Sequence, residues 1–131
     1  MDSPNSHHEL IETMLHADAL ELCGNADEAA RLRRDSLAEA TEFDINCYAY
    51  TLLWRSRIER AIELMEKNAA EHPDSWNAYD SLGDAHAENR DFARALVNYT
   101  LAVRMAPSES ERERIASRID ELRLRLRELA T

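Results

Sequence analysis

The chain has 131 residues, of which 44% are hydrophobic and 32% charged, with two glycines and three prolines. This length predicts one domain with a buried core, and the balance of residues favours a helical protein with almost no β-structure. The net charge of −10 argues against nucleic acid or an anionic membrane surface as a partner. No apolar run is long enough to span a bilayer, and the N-terminus lacks the features of a secretory signal, so we expect a cytoplasmic protein.

Apolar periodicity and helix-start signals predict seven helices. Ser, Thr, Asn or Asp followed three residues later by an acid forms the capping box that often begins a helix. Such pairs are Ser6 with Glu9, Asn25 with Glu28, Thr41 with Asp44, Ser56 with Glu59, and either Ser108 with Glu111 or Ser110 with Glu113. Further candidate caps are Asp91 and either Asp74 or Ser75. The predicted helices lie near 7–22, 26–39, 43–55, 58–71, 75–88, 92–105 and 109–130.

The sequence repeats itself at an offset of 34 residues. At this offset Ala61 aligns with Ala95, and Pro73 aligns with Pro107. A more degenerate copy lies upstream at an offset of 32, aligned through residues 24–29. One helix-turn-helix unit of this length cannot bury its apolar face alone, so a stack of about three units is expected.

This pattern resembles the tetratricopeptide repeat. The residues that carry the resemblance are Tyr79-x2-Leu82-Gly83-x2-His86, then Ala95-x3-Tyr99, then Pro107, with His86 standing where the family usually has Tyr. The resemblance covers residues 8–107 and implies an all-α fold, an α-solenoid of three helix-turn-helix repeats at about 8–41, 42–75 and 76–109. Residues 61–86 also resemble tetratricopeptide segments that trail bacterial serine-hydrolase and lactamase-like catalytic domains.

The last predicted helix, at 109–130, carries a single apolar stripe. Its members, at alternating spacings of 4 and 3, are Ile115, Ile119, Leu122, Leu126 and Leu129. A stack of repeats needs a terminal helix with one polar face, so we expect this helix to cap the last repeat. The same stripe fits a coiled-coil seam, so homodimerisation through this helix is the alternative.

Gly83 is predicted to be a packing residue. Tyr79, Leu82, Gly83 and His86 share one face of their helix. Because Gly is less favourable than Ala in a helix interior by about 1 kcal/mol, close approach of the partner helix is the expected reason for it. A phosphate loop would need more than one glycine and a helix that begins there. His86 lies on this core face, which favours a hydrogen-bonded structural imidazole over a metal ligand.

The resemblance also implies a binding surface, because the first helices of tetratricopeptide repeats line a concave face that binds extended peptides. The matching positions and their margins are Met14, Asp18, Leu22, Phe43, Asn46, Tyr50, Trp54, Arg57, Asn77, Asp80, Asp84 and Glu88. We expect this groove to be acidic at one end and aromatic in the middle, and to favour a neutral or basic segment with an apolar anchor. The alternatives are that the carboxylates form a solvated face and that the aromatics pack against the neighbouring repeat.

No arrangement typical of an enzyme is found. Glycines only at 24 and 83 exclude a Gly-x-Ser-x-Gly elbow, and Lys67, the only lysine, belongs to no Ser-x-x-Lys motif. We expect no metal or cofactor. The core first-helix positions of the groove offer no Lys or Arg, so the clamp by which chaperone-binding members of the family hold a C-terminal carboxylate is absent.

We therefore expect a non-enzymatic adaptor, scaffold or chaperone-like module that binds a protein or peptide partner. The alternatives are a structural or oligomerising module acting through residues 109–130 and an accessory domain of a bacterial serine hydrolase.

Overall fold

A computed structural model gives the fold of residues 6–131, with side chains described from His8 onward. Within this range it has seven helices and no strand. The helices are α1 (Ser6–Leu22), α2 (Ala26–Glu39), α3 (Glu42–Trp54), α4 (Ile58–Glu71), α5 (Trp76–Glu88), α6 (Phe92–Met105) and α7 (Glu109–Ala130). Every predicted helix boundary lies within one residue of the observed one. The predicted capping box of Ser6 with Glu9 rests on a side chain outside the described residues.

The helices are arranged as an α-solenoid, which confirms the predicted fold class. Helices α1, α3 and α5 each pack against the helix that follows, while α1 with α3 and α3 with α5 lie side by side. Helix α7 packs on α6 at the end of the stack. None of the described helices is both long and apolar enough to cross a membrane.

Side-chain caps begin four of the helices. Thr41 and Asp44 form the predicted capping box of α3, in which the backbone N–H of each donates to the other's side-chain oxygen at 3.1 Å. Ser75, Asp91 and Ser108 cap α5, α6 and α7 by accepting a hydrogen bond from the backbone N–H three residues on. These bonds satisfy donors that a helix start otherwise leaves unpaired.

Three turns between paired helices contain a residue in the left-handed region. These residues are Gly24 (φ 92°), Ser56 (φ 62°) and Arg90 (φ 60°). The prediction that Ser56 caps α4 is wrong, because the N-cap residue is Arg57, which makes no side-chain cap bond. Asn25 precedes α2 as predicted, but its side chain also makes no cap bond.

The core consists of two clusters of buried side chains. The first lies among α1, α3, α4 and α5 and includes Met14, Tyr48, Leu52, Met65 and Leu82. The second joins α6 to α7 and includes Phe92, Tyr99, Ile115, Ile119 and Leu122. The half-buried ring of Tyr79 packs against both clusters, so the two halves of the stack form one continuous interior.

Helix α7 is the capping helix that its apolar stripe predicts. Ile115 is fully buried, and Ile119 and Leu122 are 7% and 5% exposed in the cluster shared with α6. Leu126 is half-buried against the same cluster, whereas Leu129 is 66% exposed near the end of the helix. Most of the stripe is therefore used within the chain.

Gly83 marks a close contact between α5 and its partner α6, as predicted. A Cβ atom at this position would lie 2.6 Å from both Cδ1 and Cε1 of the Tyr99 ring. Carbon atoms pack at about 3.5–4.0 Å, so even alanine does not fit without displacing the ring. Ala49, the equivalent position one repeat earlier, is fully buried.

His86, on the same face of α5, is also buried, at 4% exposed. Its Nε2 lies 4.0 Å from the Glu66 carboxylate of α4, and its Nδ1 has no hydrogen-bond partner. Burial lowers the pKa of His86, although Asp91 and Glu66 oppose the shift. The imidazole is therefore a structural part of the core, but the predicted hydrogen bond is not found among the described residues.

Candidate functional site

The 34-residue period brings equivalent positions of three helices into contact. The hydroxyl of Tyr50 on α3 donates a hydrogen bond to Asp84 Oδ2 on α5 at 2.5 Å. Arg118 Nη1 on α7 donates to Asp84 Oδ1 at 2.8 Å, and the Tyr99 hydroxyl on α6 donates to the same oxygen. Burial, together with this carboxylate, raises the pKa of both tyrosines, so both remain protonated donors. Asp84 thus links four helices.

Asp80, one turn earlier on α5, is held in the same way by α7. Arg114 Nη2 lies 2.9 Å from Asp80 Oδ2, and Arg118 Nη1 lies 3.1 Å from Asp80 Oδ1. The Asp80 side chain is only 6% exposed. Burial raises the pKa of Asp80, whereas the hydrogen bond from Arg114 lowers it. The expectation of an open acidic surface here is therefore wrong, because two arginines cover and neutralise these carboxylates.

An exposed tryptophan lies beside this ion-pair network. Trp54, the last residue of α3, is 78% exposed, and its ring centroid is 6.0 Å from that of Tyr50 at an interplanar angle of 36°. The two rings border a depression of about 530 Å³, called here the Trp54 depression. Its other principal lining residues are Leu53, Asp84, Glu88 and Arg118. Exposed amphipathic aromatics of this kind are enriched at binding hot spots.

A second depression, of about 440 Å³, continues from the first. It is called here the Phe92 depression, and its distinctive lining residues are Arg90, Phe92, Glu121 and Arg125. Residues that line both depressions are Ala87, Glu88, Tyr99 and Arg118. The two depressions therefore form one surface across α3, α5, α6 and α7.

The predicted groove residues of α1 do not join this surface. Met14 is 1% exposed in the core, so its assignment to an open groove is wrong. Asp18 pairs instead with Arg33 of α2 at 2.6 Å and with Arg60 of α4 at 3.6 Å. Burial opposes its ionisation, but these arginines outweigh that effect and lower the pKa of Asp18. Leu22 is 87% exposed but lines neither depression.

Other predicted residues lie at varying depth. Asn46 is 8% exposed, so its predicted open position is also wrong. Asn77 is half-buried and Phe43 is 59% exposed, and neither lines a depression. Arg57 is exposed at the start of α4, in a separate shallow pocket with Asn89. Of the predicted groove residues, the surface brings together Tyr50, Trp54, Asp84 and Glu88.

The sequence prediction missed the arginines of α7. The signal was present, since a further shift of 34 residues from Asp80 and Asp84 reaches Arg114 and Arg118. The prediction treated α7 as a cap or a dimer seam and did not extend the repeat register into it. The first helices α1, α3 and α5 contain no Lys or Arg, as the sequence shows, and the missed arginines of this surface come from α7, where Arg118 is engaged by aspartates of α5.

No cluster of three or more His, Cys, Asp or Glu side chains that could hold a metal ion occurs in the described part of the chain. The surface itself carries aromatic rings, ion pairs, and exposed guanidinium and carboxylate groups.

Comparison with known proteins supports the fold. No family model matches the chain, and no curated protein sequence matches it. Among solved structures, the chain is similar to the crystal structure of PcrH from Pseudomonas aeruginosa, with a TM-score of 0.58 and 13% sequence identity. The similarity covers 93% of this chain and 92% of that chain. At this identity the likeness shows a shared helical-repeat fold.

Proposed function

We propose that the chain is a non-enzymatic tetratricopeptide-type module that binds a peptide or protein segment. The binding surface is the continuous one formed by the Trp54 and Phe92 depressions. The division into repeats at about 8–41, 42–75 and 76–109 belongs to this proposal. The observation that carries it is Trp54, which is 78% exposed at the edge of a depression of about 530 Å³.

The aromatic part of the surface is prepared for binding. The Tyr50 hydroxyl is fixed on Asp84, so the ring that borders Trp54 is held before any ligand arrives. A rigid site avoids part of the entropy cost of ordering side chains on binding. Burying a large exposed side chain such as Trp54 is favourable by about 1.5–3 kcal/mol. An apolar ligand side chain is the natural occupant beside it.

The charge preference that we propose for the ligand differs from the one expected from sequence. A neutral or basic segment was favoured because Asp80 and Asp84 were expected to face the groove. Arg114 and Arg118 pair with these carboxylates, which leaves Glu88 as the exposed acid of the Trp54 depression. The proposal therefore keeps the apolar anchor and assigns no excess negative charge to the site.

The test is a selection of binding peptides from a random library displayed on phage. Peptides of about 12 residues, which span about 40 Å when extended, are long enough to follow the surface. Peptides enriched on the wild-type protein should carry an apolar residue and should lose binding to Trp54→Ala. The matched control is Val97→Ala, since Val97 is 60% exposed on α6 and lines neither depression. Failure to enrich peptides, or equal loss in both variants, would contradict the proposal.

A further inference from the structure

Among residues 8–131, two guanidinium groups in the Phe92 depression have no carboxylate partner. The Cζ atoms of Arg90 and Arg125 lie 5.7 and 5.8 Å from the centroid of the Phe92 ring. Within residues 8–131, neither side chain makes an ion pair or a hydrogen bond. Arg118, in the same depression, is by contrast ion paired with two aspartates. The charge left for a ligand is therefore that of Arg90 and Arg125.

The backbone at Arg90 is a further feature of this depression. Arg90 has φ 60°, in the left-handed region where glycine is least strained. The equivalent turns have Gly24 at φ 92° and Ser56 at φ 62°, so the left-handed conformation belongs to the turn in all three helix pairs. Glycine would adopt this conformation with less strain, so the turn itself does not require an arginine.

We infer that the Phe92 depression binds one acidic side chain, Asp or Glu, of the peptide whose apolar anchor contacts Trp54. This inference rests on the proposed function and adds a charge to its ligand. Guanidinium groups stacked on an aromatic ring are oriented in advance and can bind a carboxylate through paired hydrogen bonds. Because the two depressions share part of their lining, one segment reaches both.

The acids of the same depression limit the ligand to a single negative charge. Glu88 and Glu121 also line it, and neither pairs with an arginine of the described residues. A dense acidic run would be repelled by both glutamates, whereas a single carboxylate is attracted by the two guanidinium groups. Replacing Glu121 by Gln should therefore strengthen binding, while removing Arg90 or Arg125 should weaken it.

The experiment compares the peptides that the phage library yields on the wild-type protein and on a variant with Arg90→Gln and Arg125→Gln. Wild-type peptides should share an Asp or Glu at a fixed spacing from their apolar residue. A synthetic copy of such a peptide should bind the double variant about tenfold more weakly. Its affinity for Glu121→Gln should rise, and binding to the wild type should weaken at about 1 M salt. The control is Arg34→Gln with Arg104→Gln, two exposed arginines outside the depression that give the same charge change.

A second variant separates binding from folding. Arg90→Gly removes the side chain and relieves the left-handed backbone, so it should weaken the acidic peptide without lowering the melting temperature. Enriched peptides that carry an apolar residue but no acidic one would overturn this inference and leave the proposed function standing. Unchanged affinity of the acidic peptide for Arg90→Gly and for the double variant would also overturn this inference and leave the proposed function standing. A library that yields no peptide would overturn both.

Discussion

Arg118 follows Asp84 by one repeat period of 34 residues, and its Nη1 lies 2.8 Å from Asp84 Oδ1. This contact joins the terminal helix to the neighbouring first-helix position, so the cap takes part in the surface that it closes. It also explains why an acidic sequence does not give an acidic groove here. The Asp80 and Asp84 carboxylates of α5 are satisfied within the chain.

The Arg118 ion pairs should contribute to stability. Arg118→Gln leaves Asp80 and Asp84 without a shared cation, and we expect it to lower the free energy of unfolding by about 2 kcal/mol. The full cost of breaking a buried pair is larger, but the Arg118 side chain is 36% exposed. Urea denaturation followed by circular dichroism measures the change. Arg123→Gln, at an exposed position of the same helix, is the control and should stay within about 0.5 kcal/mol of wild type. Equal loss in the two variants would contradict the role of the pairs.

The capping and dimerising interpretations of the α7 stripe predict that different substitutions affect stability and oligomeric state. Ile115 is fully buried, so Ile115→Ala should lower the free energy of unfolding by about 2–5 kcal/mol. Leu129 is 66% exposed, so Leu129→Ala should change it by less than about 0.5 kcal/mol. Chemical denaturation tests both. Sedimentation velocity should give the same sedimentation coefficient, that of a monomer, for wild type and Leu129→Ala. A wild-type dimer that Leu129→Ala dissociates would support the oligomerising alternative.

Gly83 should resist substitution by alanine although it lies in a helix. Helix propensity alone predicts that Gly83→Ala stabilises the protein by about 1 kcal/mol. The contact with Tyr99 predicts the reverse, a loss of about 1–3 kcal/mol, because the added methyl group forces the ring to move. Thermal and urea melts decide between them. The reciprocal change Ala49→Gly should also destabilise, since it opens a space and loosens the helix; a more stable Gly83→Ala variant would refute the packing account.

His86 should make stability depend on pH below about 6.5, its ordinary pKa. Burial lowers the pKa of His86 in the folded protein, so between the folded value and 6.5 the unfolded chain binds the proton and the native one does not. Stability from this group is therefore complete above 6.5 and decreases as the pH falls. Comparison of urea midpoints of wild type and His86→Gln over about pH 5–8 measures it. The variant should lose less stability than the wild type on acidification. Parallel curves of urea midpoint against pH for the two proteins would contradict the lowered pKa of His86.

The sequence predicted the helices well and the surface only in part. Capping residues and an unbroken 3.6-residue periodicity define helix ends locally, which is why the Thr41 and Asp44 box was found. The 34-residue offset aligned Tyr50 with Asp84 because successive helices of a solenoid stack in register. The rotation of α1 depends instead on how its side chains pack, and the degenerate 32-residue copy does not determine it. Met14 and Asp18 were therefore assigned to the wrong face.

The burial of Asp80 could not be predicted from the pattern of its own helix, for a different reason. Whether a carboxylate on a helix is solvated depends on the long side chains that reach it from the next helix. Arg114 and Arg118 are such side chains, and their positions follow from extending the repeat into α7. Ser56 was misassigned because a left-handed turn and an N-cap favour the same small polar residues.

The binding surface can be tested most directly through the fluorescence of Trp54. The chain has two tryptophans, so Trp76→Phe leaves Trp54 as the only emitter. In that background, titration with a library-selected peptide should shift the Trp54 emission to shorter wavelength as its exposed ring becomes buried, with a midpoint equal to the calorimetric Kd. Peptide binding by calorimetry with no change in Trp54 emission would contradict the proposal that this surface binds the ligand.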